Sequence, residues 1–295
     1  VSAELLRHLL DLASQHLSGS TPQQVVITVP AYFNAQQRAA TLEAARLAGI
    51  AQVSLLQEPV AAAMAFGFGK PFDAETLLVF DLGGGTFDLS VVDSFEGIME
   101  VLATGGDALL GGDDFDRALL EGLFLQQGSS SSSSSCSLGS DVLAELLEAV
   151  ESAKCQLSTQ DSVRIQISAA AAAQLPSNHH QQQQHAAQVH LARQQMHDLT
   201  AQLRQRLWQP LEPLADACKL QYACAPSSIE QQLQGRQQQQ AAAVSSNGSS
   251  TDPYAPKPRQ LTAVLLVGGA TRMPIIQQGL QVLTALQPRS VGCCA

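Results

Sequence analysis

An α/β fold is predicted by three features of the chain. Short β-branched apolar runs have the length of strands, alanine- and leucine-rich stretches of helical period follow them, and glycine clusters stand at the junctions. With 295 residues and 45% hydrophobic side chains, the chain can bury a sizeable core in one or two domains.

Residues 3–17 read as an amphipathic helix, with Leu6, Leu9, Leu10, Ala13 and Leu17 at helical spacing. The first residue is Val1, not methionine, so the chain is expected to start inside a fold, with any targeting peptide upstream. After a turn at 19–23, residues 25–29 are a continuous apolar run suited to a buried strand, and 35–48 an alanine-rich helix closed by Gly49. A strand at 52–56 and a helix at 59–66 follow. Glu58 stands at their junction, just before Pro59, where the helix dipole favours a carboxylate. Residues 76–92 make a hairpin, and 98–104 add a strand before Gly105-Gly106 and Gly111-Gly112, which are expected to mark a boundary.

Residues 126–140, with seven consecutive serines, lack apolar content and read as a surface insertion. In the helix expected at 141–157, Leu146, Val150, Ala153 and Leu157 share one face. Glu151, Lys154, Cys155 and Ser158 share another, about 120° away and free to meet a ligand. Residues 169–187 are rich in Ala, His and Gln, and His179, His180 and His185 have no acidic or cysteine companions to make a metal site. Helical periodicity resumes over 189–220, with Trp208 as core, and 221–260 is a Gln/Ser/Pro-rich insertion expected to be disordered. Residues 261–267 read as a buried strand, Gly268-Gly269 as a turn, and 274–286 as a helix opened by Pro274.

The hairpin carries the most chemistry. Val79-Phe80-Asp81-Leu82-Gly83-Gly84-Gly85-Thr86-Phe87-Asp88 is strand, glycine bend and strand, with a carboxylate on each flank and a hydroxyl past the turn. Gly83, Gly84 and Gly85 can take backbone conformations closed to other residues and aim amides at an anion, Thr86 adds its hydroxyl, and Asp81 can face a hydrated divalent cation. Taken alone, such a triplet is also an ordinary hairpin turn. A formal charge of −10 argues against a generic nucleic-acid surface and against anionic membranes. No apolar run approaches the roughly 20 residues needed to span a bilayer. Six cysteines, without CxxC or zinc spacing, fit a reducing intracellular compartment.

The hairpin also resembles the second phosphate loop of the heat-shock protein 70 kDa (DnaK-type) chaperones. Three further segments are similar, in the family's order: Val26-Ile27-Thr28-Val29-Pro30-Ala31-Tyr32-Phe33-Asn34, Leu109-Leu110-Gly111-Gly112-Asp113-Asp114-Phe115-Asp116, and Leu266-Val267-Gly268-Gly269-Ala270-Thr271-Arg272-Met273-Pro274. The resemblance implies an actin-like ATPase (ribonuclease-H-like) fold, incomplete, with the end of lobe I in 1–71, the first part of the lobe II base in 72–110 and its outer subdomain in 111–220. An insertion then fills 221–260, and the lobe II base ends in 261–295.

By the same resemblance ATP or ADP binds with Mg²⁺, and K⁺ is a candidate accessory ion. Asp81 and Glu58 order the hydrated metal and the attacking water, Thr86 meets the γ-phosphate, and Asp88 serves an accessory cation. Gly83, Gly84 and Gly85 cradle phosphate, while Glu151, Lys154, Ser158, Gly268, Gly269 and Arg272 hold adenosine. Pro30 and Arg38 match the relay that links nucleotide state to a substrate domain. Two departures stand out: Cys155 where the family often has arginine or an aliphatic residue, and Ala270 where it usually has a polar one.

The family's first phosphate loop and catalytic lysine, and its substrate domain, have no match in these residues, so hydrolysis is expected to be very slow or absent. Unfolded clients would be reached only through that missing domain, with a J-domain co-chaperone and a nucleotide-exchange factor as partners, and without nucleic acid or membrane. The alternatives are a non-catalytic nucleotide- or protein-binding paralogue and, against the run from Val29 to Asn34, a sugar kinase of the same superfamily. Motif details favour a plastid or other organelle over the cytosol.

Overall fold

The computed structural model describes residues 1–69, 74–125, 138–175, 188–238 and 258–290. The chain divides into two compact units, Val1–Val79 with Ser90–Thr104, and Phe80–Leu89 with Gly105–Ala295.

The first unit opens with α1 (Ser2–His16), β1 (Gln24–Val29), α2 (Ala35–Leu47), β2 (Gln52–Gln57) and α3 (Glu58–Ala65). Strands β1 and β2 are parallel, with Val25 opposite Val53 and Val29 opposite Gln57, and α2 supplies the crossover that parallel pairing requires. Asn34 starts α2 with a reciprocal cap: its side chain accepts from the Gln37 amide, and the Gln37 side chain accepts from the Asn34 amide, both at 2.9 Å. Strand β1 was expected to be buried along its length. Instead Val25, Ile27 and Val29 alternate toward the interior while Val26 is exposed, the pattern of a strand covered on one face. Helix α1 has its expected span but buries none of its residues.

Three long strands follow: β3 (Glu75–Leu82), β4 (Phe87–Phe95) and β5 (Ile98–Asp107). Strand β5 runs on through Gly105-Gly106, where a break was expected. Gly106 has φ +139°, and a Cβ there would lie 2.2 Å from the Phe87 carbonyl oxygen, so this glycine allows one backbone to touch another.

The second unit continues with α4 (Gly112–Leu120), a π-helical turn at Glu121–Leu125, α5 (Ser140–Gln156), β6 (Ser162–Gln166), α6 (Ala169–Ala172) and β7 (Gln188–Ala192). Then come α7 (Arg193–Leu199), α8 (Ala201–Trp208), α9 (Leu211–Cys218), β8 (Leu220–Gln221), α10 (Ile229–Gln238), β9 (Arg259–Gln260), β10 (Ala263–Val267), α11 (Pro274–Thr284) and β11 (Arg289–Ser290). One five-stranded sheet has the order β11-β10-β3-β4-β5. Phe80, Leu82, Phe87, Leu89, Val264 and Leu265 are fully buried, and the Phe80 ring lies 4.6 Å from that of Phe87 and 6.4 Å from that of Trp208.

Two sequence expectations change here. Residues 188–192, expected to open a helix, form a strand because Val189 and Leu191 alternate with polar neighbours and pair antiparallel with Ile165 and Val163 of β6. The part of 221–260 that is described is also ordered. In α10, Ile229 and Leu233, four apart, are buried, and Glu230 accepts from Arg204 Nη2 at 2.8 Å and from Trp208 Nε1 at 2.8 Å. Gly279 of α11 makes room for this packing, since a Cβ there would sit 2.7 Å from the Trp208 ring. The polyserine run and His179, His180 and His185 lie outside the described residues.

Candidate functional site

Gly83 donates its amide to the Thr86 carbonyl at 3.0 Å and closes the bend between β3 and β4. None of Gly83, Gly84 and Gly85 has a positive φ. Their lack of side chains serves close approach instead: a Cβ on Gly111 would meet the Gly84 carbonyl oxygen at 2.2 Å, and one on Gly84 would come within 3.3 Å of Asp113 Oδ1. The Gly112 and Asp113 amides, at the start of α4, donate to the Gly83 and Gly84 carbonyls at 2.9 and 2.8 Å. The hairpin is thus strapped to a helix N-terminus.

The second glycine corner reaches the same place. Gly268 follows β10 with φ +86°, and a Cβ there would stand 2.1 Å from the Leu82 carbonyl oxygen and 3.0 Å from the Gly83 nitrogen. A turn of 3₁₀ helix, Gly269–Arg272, leads into α11, held by the Thr271 hydroxyl donating to the Gly268 carbonyl at 2.7 Å.

Between these corners lies a cavity of about 360 Å³. Gly83 and Gly84 line it from the hairpin, Gly112 and Asp113 from α4, and Glu151, Lys154, Cys155, Ser158 and Thr159 from α5 and the turn after it. Gly269, Ala270, Arg272 and Met273 close it from the second corner. The face of α5 singled out by helical period therefore does meet the cavity. Lys154 is less free than that reading implied, because its ammonium is buried and bonded to Asp116 Oδ2 at 2.6 Å and to the Gly112 carbonyl at 3.2 Å.

The carboxylates of the hairpin are unusual in charge state. Burial and the neighbouring charge of Asp88 push Asp81 up to about 6, and burial pushes Asp88 up against a hydrogen bond from Thr86. Two half-buried carboxylates, with a hydroxyl beside Asp88, are hard oxygen donors suited to a Mg²⁺ ion that keeps most of its water. Among the described residues no group of three or more His, Cys, Asp or Glu side chains forms a self-sufficient metal cage.

Gly85 and Thr86 are exposed on the hairpin but do not line the cavity. Glu58, Pro30 and Arg38 lie in the first unit. Glu58 begins α3, and Pro30 accepts from the Phe33 amide at 3.1 Å. Arg38 donates to the Phe33 and Ala31 carbonyls at 2.9 and 3.3 Å, pinning the turn after β1. Asp113, Thr159 and Met273 line the cavity without having been picked as site residues. Thr159 lies four residues past Cys155, a spacing visible in the sequence, whereas Asp113 reaches the wall because the start of α4 is bonded to the hairpin, and Met273 through the turn that leads into α11.

The mixed α/β build, with two glycine corners on one cavity, agrees with the actin-like ATPase class of fold to which the family matched by this chain belongs. The family model described as Hsp70 protein matches residues 1–223, and the chain belongs to the Hsp70 family. It is 36% identical over 290 residues to the chaperone protein dnaK of Cyanidioschyzon merolae, covering 98% of this chain and 40% of that protein. It is 47% identical over 167 residues to dnaK of Guillardia theta, covering 57% of this chain and 26% of that one. With dnaK3 of Thermosynechococcus vestitus it shares 34% identity over 300 residues, 98% of this chain and 36% of the relative. The chain thus spans about two fifths of the length of curated relatives it matches. Among the described residues no helix is long and apolar enough to cross a membrane.

Proposed function

We propose that these residues bind an adenine nucleotide with Mg²⁺ as the ATPase-type domain of an Hsp70 chaperone that assists protein folding. The observation that carries this reading is the shared cavity: the hairpin at Gly83-Gly84 and the turn that follows Gly268, 185 residues further along the chain, abut and both line one space. Gly83, Gly84, Gly85 and Thr86 would face the phosphates. Glu151, Lys154, Ser158, Gly268, Gly269 and Arg272 would hold adenosine.

Asp81 and Asp88 would hold the hydrated Mg²⁺, with K⁺ as the accessory ion. When bound, the ion neutralises phosphate charge. Asp81 would also orient the attacking water, and Thr86 would donate to a γ-phosphate oxygen, so that catalysis rests on position and charge more than on bond-making by the protein. Hydrolysis by the chain alone is expected to be slow. Among the described residues one phosphate-facing hairpin lines the cavity, and each opposed donor lost from such a site costs about 2.7 to 4 kcal/mol.

Pro30 and Arg38 would relay nucleotide state to a client-binding domain, with a J-domain co-chaperone and an exchange factor as partners. The algal and cyanobacterial sources of the relatives support a plastid setting. Titration calorimetry with ADP and Mg²⁺ tests the central step: saturable heat that weakens on replacement of the exposed cavity residue in Arg272→Ala supports the reading, and no heat from the wild-type chain removes it.

A further inference from the structure

The ammonium of Lys154 and the carboxylate of Asp116 form a pair whose side chains are only 9% and 8% exposed. A lysine so buried costs several kcal/mol unless it is paired, so Asp116 is what allows the charge to sit there. Asp116 gives one oxygen to Lys154 and leaves Oδ1 buried with no hydrogen-bond partner, an arrangement that cohesion by itself does not call for.

What the pair touches explains it better. Lys154 lines the cavity from α5 and donates to the Gly112 carbonyl at the first turn of α4. The Gly112 and Asp113 amides of that turn donate to Gly83 and Gly84 in the hairpin. These groups lie side by side, since a Cβ on Gly112 would make ordinary van der Waals contact, at 3.4 Å, with both Lys154 Nζ and the Ala270 methyl. One continuous set of contacts therefore runs from the α5 wall, through the start of α4, to the backbone of the hairpin.

We propose that Asp116 is a positioning residue that, through Lys154, couples the adenosine wall of the cavity to the phosphate hairpin, so that filling one end stiffens the other. The coupling rests on the nucleotide reading only for the identity of the ligand.

The test uses Asp116→Asn, which keeps the shape and removes the charge. In the full chain without nucleotide, the Gly112 and Asp113 amides should exchange with solvent about tenfold faster than in the wild type, while those of Leu265 and Leu266 keep their protection. ADP affinity should fall about tenfold, within the usual range for coupled sites. Added to Lys154→Met, the Asp116→Asn change should cost no further affinity. Unchanged exchange at Gly112 and Asp113, or affinity losses that simply add, would overturn the proposal. Should the wild type bind no ADP while exchange still rises in the variant, the mechanical link stands and the nucleotide reading alone falls.

Discussion

Asp81 and His197 are both half-strangers to their surroundings, and each gives the chain a pH dependence of known sign. Asp81 titrates near 6 in the folded chain against 3.8 when free, so the fold holds its proton through that window and pays for its charge above it. Asp81→Asn should therefore raise stability at pH 7.5 without divalent cation, by about 1 kcal/mol given its partial exposure, and should abolish any stabilisation by Mg²⁺. Melting temperatures with and without the ion check both signs. A variant no more stable than wild type would show that the carboxylate is not strained.

His197 behaves in the opposite sense. It is buried in α7 with neither ring nitrogen hydrogen-bonded, and burial together with Arg204 and Arg193 holds it down at about 4 against 6.5. The unfolded chain takes up the proton first, so the contribution of His197 is full above about 6.5 and falls as the pH drops toward 4, opposite to that of Asp81. That contribution is roughly 2 kcal/mol, read as the difference between wild type and a His197 variant in how far denaturant midpoints move from pH 7.5 to 4.5. His197→Leu should flatten that slope, and an equal slope in both proteins would contradict the assignment. Nothing in the sequence pointed to His197, because its burial depends on α7 and on Arg204 of the next helix.

At the scale of elements, the two strongest predictions concern a corner and a latch. Gly268→Ala places a methyl against the Leu82 carbonyl at a positive φ, so it should destabilise the chain by more than about 2 kcal/mol, measured by denaturant unfolding. Glu230→Gln weakens the pairing of the buried Arg204 and frees α10, with an expected loss of about 3 kcal/mol and faster proteolysis within 229–238. Unchanged cleavage there would mean that the apolar contacts of Ile229 and Leu233 suffice.

Most elements were legible because their signals are local. The alanine-rich run announces α2, Pro274 opens α11, and Gly49 closes α2 with φ +90°. Strand β7 was missed because five residues ahead of three helices carry too little periodicity, and its partner β6 is more than twenty residues upstream. The order in α10 was hidden by a glutamine-rich composition, and only its packing on Trp208 and Arg204 reveals why Ile229 and Leu233 matter. Gly106 and Gly111 were read as punctuation, yet they are points where two backbones touch, which depends on contacts that a single segment cannot display.

For the whole molecule, the motifs were plain in the sequence but the space between them was not. Lys154 was picked for adenosine on helical phase and the family resemblance, and the structure adds the buried carboxylate that binds it. The account depends on the hairpin and the Gly268 corner holding one adenine nucleotide between them. The direct measurement is a titration of the isotope-labelled chain with ADP and Mg²⁺, following the backbone amide signals of Gly83, Gly84 and Gly85 together with those of Gly268, Gly269 and Arg272. The account predicts that both sets shift in parallel and saturate at one dissociation constant. Shifts confined to one corner, or two corners saturating at different concentrations, would contradict it.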